Sequence, residues 1–117
     1  MAALVAATSG ALPAAAAVAP RAGSVLTGAA AGQPIVVKVT RRGKAVSVTL
    51  TCRKRKVVFE NLPVSAGRFS GDRNEATARS NPVAHVQGRF VSATRAKGRF
   101  TAQRCPTKRG SWTARRR

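Results

Sequence analysis

The stretch "PIVVKVTRRGKAVSVTLTC", Pro34 to Cys52, decides the fold class. Ile35, Val37 and Val39 alternate with Val36, Lys38 and Thr40. Val46, Val48, Leu50 and Cys52 alternate with Ser47, Thr49 and Thr51. Successive side chains of a strand point to opposite faces, so this period of two predicts two strands, each with one buried face. A two-residue turn at Arg42-Gly43 sets Val39 opposite Val46, Val37 opposite Val48 and Ile35 opposite Leu50. Every inward residue then meets an inward residue, as a sound register requires. Gly43 supplies the positive φ that such a turn demands.

The pattern continues downstream. With Arg53 to Lys56 as a four-residue loop, Cys52 faces Val57, Leu50 faces Phe59 and Thr49 meets Glu60. Leu62-Pro63-Val64 ends that strand, because proline cannot donate to a central ladder. Gly67 to Gly71 is a short element bounded by glycines. Residues 72 to 83, "DRNEATARSNPV", hold Asp72 and Glu75 among arginine neighbours and read as a long loop. A loop of that length is a place to look for function.

The triplet Gly-Arg-Phe occurs at residues 67–69, 88–90 and 98–100, and takes three of the four phenylalanines. The last two copies lie in "AHVQGRFVSATRAKGRFTAQ", residues 84–103, which reads as a second hairpin. A three-residue loop, Ala93-Thr94-Arg95, places Phe90 opposite Gly98 and Gly88 opposite Phe100. Each ring then covers the bare backbone of a glycine, which recovers packing and pins the register. Arg89 and Arg99 point to the opposite face, towards water. Cys105 to Gly110 is a turn, and "SWTARRR" closes the chain as a strand anchored in the core by Trp112. Cys105 follows Phe100 by an odd number of residues, so a turn or bulge must intervene to bring it inward.

Composition bounds the rest. A chain of 117 residues is expected to hold one domain. Residues 1–19 form a signal-peptide-like segment, 20–33 a Gly/Ala/Ser-rich linker, and 34–117 a single β domain. The first 20 residues carry no charge and end in small-residue sites such as Ala14-Ala15-Ala16 and Ala17-Val18-Ala19. No Lys or Arg precedes the apolar run, and Pro20 disfavours a cut directly after Ala19. The run is too short for a transmembrane helix. All 22 Lys and Arg lie from Arg21 onward, against Glu60, Asp72 and Glu75, for a formal charge of +19. Such a field attracts polyanions and opposes compaction by self-repulsion.

The two cysteines form an even count in a chain read as exported, which predicts a Cys52–Cys105 disulfide. Closing so long a loop is worth about 4 kcal/mol by chain entropy. Three carboxylates, one histidine and no tyrosine leave little material for acid–base catalysis. No phosphate-binding, dinucleotide-binding, metal-binding or nucleophile motif is present. The reading is therefore non-enzymatic, with no catalytic residue, metal or cofactor. An enzyme would need a cluster of His85, Asp72 and Glu75.

The segment "VQGRFVSATRAKGRFTAQRCPTKRGSWTARR" resembles the C-terminal half of a family of small exported actinobacterial proteins with no assigned activity. The residues that carry the resemblance are Gly88 and Phe90, then Ala96, Gly98 and Phe100, then Cys105, then Trp112 to Arg115. The hairpin ending in Cys52 and the segment Leu62 to Gly71 also look similar, so it covers about residues 35 to 116. It implies an exported all-β domain with one disulfide and supplies no catalytic residue.

These readings together predict a small antiparallel β-sandwich or flattened barrel of about six or seven strands with one disulfide. The function expected is that of a secreted or cell-envelope protein, binding an anionic cell-wall polymer through Arg53, Lys54, Arg55, Lys56, Arg89 and Arg99. The alternative is an intracellular, basic β barrel that binds nucleic acid, which needs the same charge, free thiols, an uncleaved N-terminus and aromatics exposed on a sheet face.

Overall fold

A computed structural model of the chain describes residues 18–53, 55–73 and 84–116. Eight antiparallel strands follow one another: β1 (Val25–Ala30), β2 (Gln33–Val39), β3 (Ala45–Cys52), β4 (Arg55–Pro63), β5 (Arg68–Arg73), β6 (Ala84–Ser92), β7 (Arg95–Ala102) and β8 (Arg109–Arg116). They lie in one sheet in the order β4-β3-β2-β1-β8-β7-β6-β5. The sheet is two four-stranded meanders joined by the β1–β8 ladder, and it curls into a nearly closed barrel. β4 and β5 meet without a ladder. There the Arg73 guanidinium donates to the Val58 carbonyl at 3.0 Å, and Leu62 packs over Gly71. Closing a sheet in this way covers edges that would otherwise offer unpaired backbone groups.

The all-β class and the disulfide are as expected, and the architecture is one barrel-like sheet rather than two packed sheets. The strand count is higher because residues 25–30, within the stretch read as linker, form β1. Gly28, Ala29 and Ala30 give little strand signal, but the segment is laddered on both sides and buries Leu26 and Ala30 completely. Asp72 and Arg73, read as loop, end β5. The remainder of that predicted loop, with Glu75, lies outside the described residues.

Registers separate cleanly by turn chemistry. The β2–β3 hairpin has the expected pairs Val39–Val46, Val37–Val48 and Ile35–Leu50, and Gly43 has φ of 72°. The β3–β4 turn differs. It holds two residues rather than four, with Arg53 itself in the left-handed region at φ 58°. Leu50 therefore faces Val57, and Val48 faces Phe59. The β6–β7 turn is likewise two residues, Ala93-Thr94, with a bulge between Phe90 and Ser92. Phe90 then faces Ala96, Gly88 faces Gly98 and Val86 faces Phe100. Both corrections move the partner by two positions, which leaves every side chain on its expected face.

The corrected register still sets aromatics over glycines, with different partners. Phe69 faces Gly88, Trp112 faces Gly98, and Phe100 faces Gly110. The first two pairs share one inward row, Phe69–Gly88–Gly98–Trp112, across β5 to β8. The Trp112 indole reaches across β7 to donate to the Gln87 carbonyl on β6 at 3.2 Å. Its ring centroid lies 6.0 Å from that of Phe69, and Phe69 lies 5.7 Å from Phe90. A β-carbon on Gly88 would lie 2.4 Å from Trp112 Cζ2 and 2.7 Å from Phe69 Cζ, so only glycine fits beneath both rings.

The barrel interior is filled by these rings with Leu26, Ile35, Val37, Val46, Val48, Leu50, Phe59 and Val86. Cys52, at the end of β3, bonds Cys105 in the β7–β8 loop, with Cα atoms 5.4 Å apart. β3 and β7 are four places apart in the strand order, so the bond crosses one mouth of the barrel. No helix among the described residues is long and apolar enough to cross a membrane.

Two outcomes follow. Gly88→Ala should destabilise the fold by about 1–3 kcal/mol, since neither ring can yield without opening the core. A wild-type denaturation midpoint would contradict this packing. Reducing the disulfide should remove about 4 kcal/mol of unfolding free energy, measured as a lower urea midpoint for Cys52→Ala/Cys105→Ala.

Candidate functional site: a basic groove on the outer face of β5–β8

The pleat that turns Phe69, Gly88, Gly98 and Trp112 inward turns their neighbours outward. Arg68 and Ser70 flank Phe69, Gln87 and Arg89 flank Gly88, Lys97 and Arg99 flank Gly98, and Ser111 and Thr113 flank Trp112. All eight line one open groove of about 820 Å³ whose floor is the glycine–aromatic row. The three arginines of the Gly-Arg-Phe triplets, Arg68, Arg89 and Arg99, thus converge on one site with Lys97. Among the described residues, no Asp or Glu lines it.

The register brings these cations into direct opposition. Arg68 is the cross-strand partner of Arg89, and Arg89 is the partner of Lys97. One rung further along, Arg95 faces Arg115. Neighbouring strands are about 4.8 Å apart, so Arg68, Arg89 and Lys97 form a row of positive charges across three strands. Like charges facing each other across a ladder are destabilising. The outer face of β1, β2 and β3 is different. It carries Val25, Thr27, Ala29, Pro34, Val36, Ala45, Ser47, Thr49 and Thr51, with Lys38 as its single cation. On the outer strand faces, cations are therefore much denser on β5 to β8 than on β1 to β3, while further cations stand on β4 and the turns. A concave basic surface of this kind concentrates anions from solution, and hydroxyl and amide groups from Ser70, Gln87, Ser111 and Thr113 add hydrogen-bonding capacity.

Of the residues singled out from the sequence, Arg89 and Arg99 lie in the groove. Arg53, Arg55 and Lys56 do not. They lie at the β3–β4 turn and the start of β4, and Arg55 and Lys56 belong to the strand rather than to a loop tip. Lys54 is outside the described residues. Arg68 and Lys97 belong to the site and were not singled out. The signal for Arg68 was the triplet itself, since Gly67-Arg68-Phe69 repeats the pattern that marked Arg89 and Arg99. The signal for Lys97 was its alternation with Ala96 and Gly98.

His85 stands on the same outer face, beside the groove rather than in it. Its Nδ1 and the Asp72 carboxylate are 2.5 Å apart, as expected for cross-strand partners on β5 and β6. Both side chains are well exposed, and a pair so hydrated contributes little to stability. Cys52 and Cys105 are joined in the disulfide and line no part of the groove.

No protein-family model matches the chain, and no curated protein and no solved structure is similar to it. What the fold and site define is thus a class: a small, disulfide-closed, eight-stranded antiparallel barrel with a strongly basic groove on one half of its wall.

Relieving the opposed charges should stabilise the protein. Arg89→Thr removes two like-charge contacts and places a strand-favouring residue at an exposed position. We expect about 0.2–1 kcal/mol of gain per contact at low salt, shrinking as salt screens the repulsion. Denaturation midpoints at low and high ionic strength measure it, and a loss of stability at low salt would show that the arginine is held by favourable contacts instead.

Proposed function

We propose that the chain is an exported, non-enzymatic β domain of the secreted or cell-envelope compartment. It binds an anionic envelope polymer in the groove of β5–β8. The observation that carries this reading is the cross-strand row Arg68–Arg89–Lys97, with Arg99 beside it and no carboxylate in the lining among the described residues. A fold selected for stability alone avoids opposed cations where uncharged positions are free, as on β1 to β3. A bound polyanion neutralises them together and releases its counterions. The disulfide supports an oxidising compartment, where such bonds persist. The apolar start of the sequence and the resemblance to small exported proteins point the same way.

The intracellular nucleic-acid reading draws on the same charge but lacks its second requirement. Single-stranded nucleic acids are held by bases stacked on exposed aromatic rings as well as by cations. Phe59, Phe69, Phe90, Phe100 and Trp112 are all buried, and the chain contains no tyrosine. The groove can follow an anionic backbone but offers no aromatic platform for bases.

Cosedimentation with purified bacterial cell wall, at about 0.15 M salt, tests the proposal. Binding should be lost when the anionic polymer is chemically stripped from the wall. The variant Arg68→Ser/Arg89→Ser/Lys97→Ser/Arg99→Ser should weaken it by at least about tenfold, or 1.4 kcal/mol. Equal binding to stripped wall, or complete displacement by equimolar single-stranded DNA, would overturn the assignment.

A further inference from the structure

The outward residues of β7 are Arg95, Lys97, Arg99 and Thr101, and all are exposed. Alternate residues on a strand stand about 6.8 Å apart. The neighbouring strands keep this column charged. Arg115 on β8 faces Arg95, Arg89 on β6 faces Lys97, and Arg109 on β8 faces Thr101. Every rung from Arg95 to Thr101 therefore has a cation on β7 or on a strand beside it, along a path of about 20 Å. The path across the strands stops sooner. Beyond Arg68, Arg89 and Lys97 it meets Thr113 on β8, Ala29 on β1 and Pro34 on β2, all uncharged. Among the described residues, the carboxylate on the outer face of β5–β8 is that of Asp72, which is paired with His85.

Spacing selects the ligand. Two strand residues comprise six backbone bonds and span about 7 Å when extended. A phosphodiester chain with a three-carbon spacer also has six bonds from one phosphorus to the next: two P–O, two O–C and two C–C. Extended, its phosphates repeat at nearly the interval of the β7 cations. A five-carbon spacer adds two bonds and lengthens the repeat to about 9 Å, which falls out of step with the column. Arginine suits phosphate because its planar fork donates two parallel hydrogen bonds to adjacent oxygens. Gln87 and Ser111 flank Arg99, and Thr113 flanks Lys97, so the hydroxyls of a polyol spacer have partners on β6 and β8. A nucleic-acid strand shares the six-bond repeat but carries a base on every unit, and the rings that would stack those bases are buried.

We propose that the bound polymer lies along β7 and is a polyol phosphate, a chain of phosphodiesters joined by three-carbon units with one phosphate at each rung from Arg95 to Thr101. This rests on the reading of an anionic envelope polymer above.

The oxidised protein is titrated calorimetrically at about 0.15 M salt with synthetic oligomers of equal charge: glycerol joined through its end hydroxyls by phosphodiesters, ribitol joined in the same way, a hexuronic acid oligosaccharide, and single-stranded DNA. The glycerol oligomer should bind at least about tenfold more tightly than any of the others. Arg95 lies at the end of the column and outside the groove lining, so Arg95→Ser tells the two paths apart. It should weaken binding of the glycerol oligomer by at least about fivefold. Lys38→Ser, the same change of charge on the outer face of β2, should leave it within about twofold. Ribitol or uronate oligomers that bind as tightly as the glycerol oligomer would overturn the spacing argument and leave the polyanion reading standing. An effect of Arg95→Ser no larger than that of Lys38→Ser would do the same. Absence of binding by the glycerol, ribitol and uronate oligomers alike would overturn the polyanion reading itself. DNA that binds as tightly as the glycerol oligomer would overturn both in favour of nucleic acid.

Discussion

Two aromatic rings lying over two glycines hold one half of this barrel together. Phe69 and Trp112 approach each other from β5 and β8, and Gly88 and Gly98 between them carry no side chain to keep them apart. Each glycine costs about 0.5–1 kcal/mol in a strand. Burying each ring returns about 1.5–3 kcal/mol, and the ring pair adds about 0.5–1.5 kcal/mol more. The rings outweigh the glycines, and the indole hydrogen bond to Gln87 ties β8 to β6 across the strand between them. Without that row, β5 to β8 would keep only Val86, Phe90 and Phe100 as large inward side chains, since Ala84, Ala96, Ala102 and Ala114 are small.

The other half of the barrel is built conventionally, from Ile35, Val37, Val46, Val48, Leu50 and Phe59. The two halves meet at the β1–β8 ladder, so the strand with the weakest local signal is the one on which closure depends. Two devices then close the ends. The disulfide crosses one mouth, and a strap from Val18 to Ser24 crosses the other. For a chain with a formal charge of +19, self-repulsion favours expansion. A covalent tie is well suited to oppose it, because salt and pH in the ordinary range leave the bond intact.

How much of this was legible depends on which physical signal each feature leaves. Period-two alternation reveals which face each residue occupies, and that reading held along β2, β3, β6, β7 and β8. Alternation is silent about a shift of two, because such a shift preserves every face. Register was therefore legible where the turn carried its own marker, Gly43, and missed by two where Arg53 adopts a left-handed conformation without being glycine. The β6–β7 turn, also without glycine, was misread in the same way, and the bulge before Ser92 leaves no compositional trace. β1 was missed because small residues form a strand there through its neighbours' ladders. The site was half legible. Arg89 and Arg99 follow from the triplets, but their convergence with Arg68 and Lys97 follows from register. The densest run of charge in the sequence draws attention to Arg53 through Lys56, yet Arg53, Arg55 and Lys56 stand away from the groove.

Composition does not force the basic groove. With so many cations, some must stand near others, yet the outer face of β1 to β3 accepts only Lys38 and offers many uncharged positions to which charge could have been moved. Placement is instead tied to the core. In a pleated strand, the residue beside an inward glycine or phenylalanine is necessarily outward. Each Gly-Arg-Phe triplet on β6 and β7 therefore contributes a core position, a groove cation and a second core position in three consecutive residues. The third triplet ends in Phe69 and places Arg68 in the same rank. The same backbone row serves as the seat of the aromatic rings on one side and as the floor of the groove on the other. A change that disturbs the rings must also displace the cations, whereas a change confined to the arginines leaves the core intact. This asymmetry is why substitutions on the outer face can separate binding from folding in this protein, and substitutions at Gly88 or Trp112 cannot.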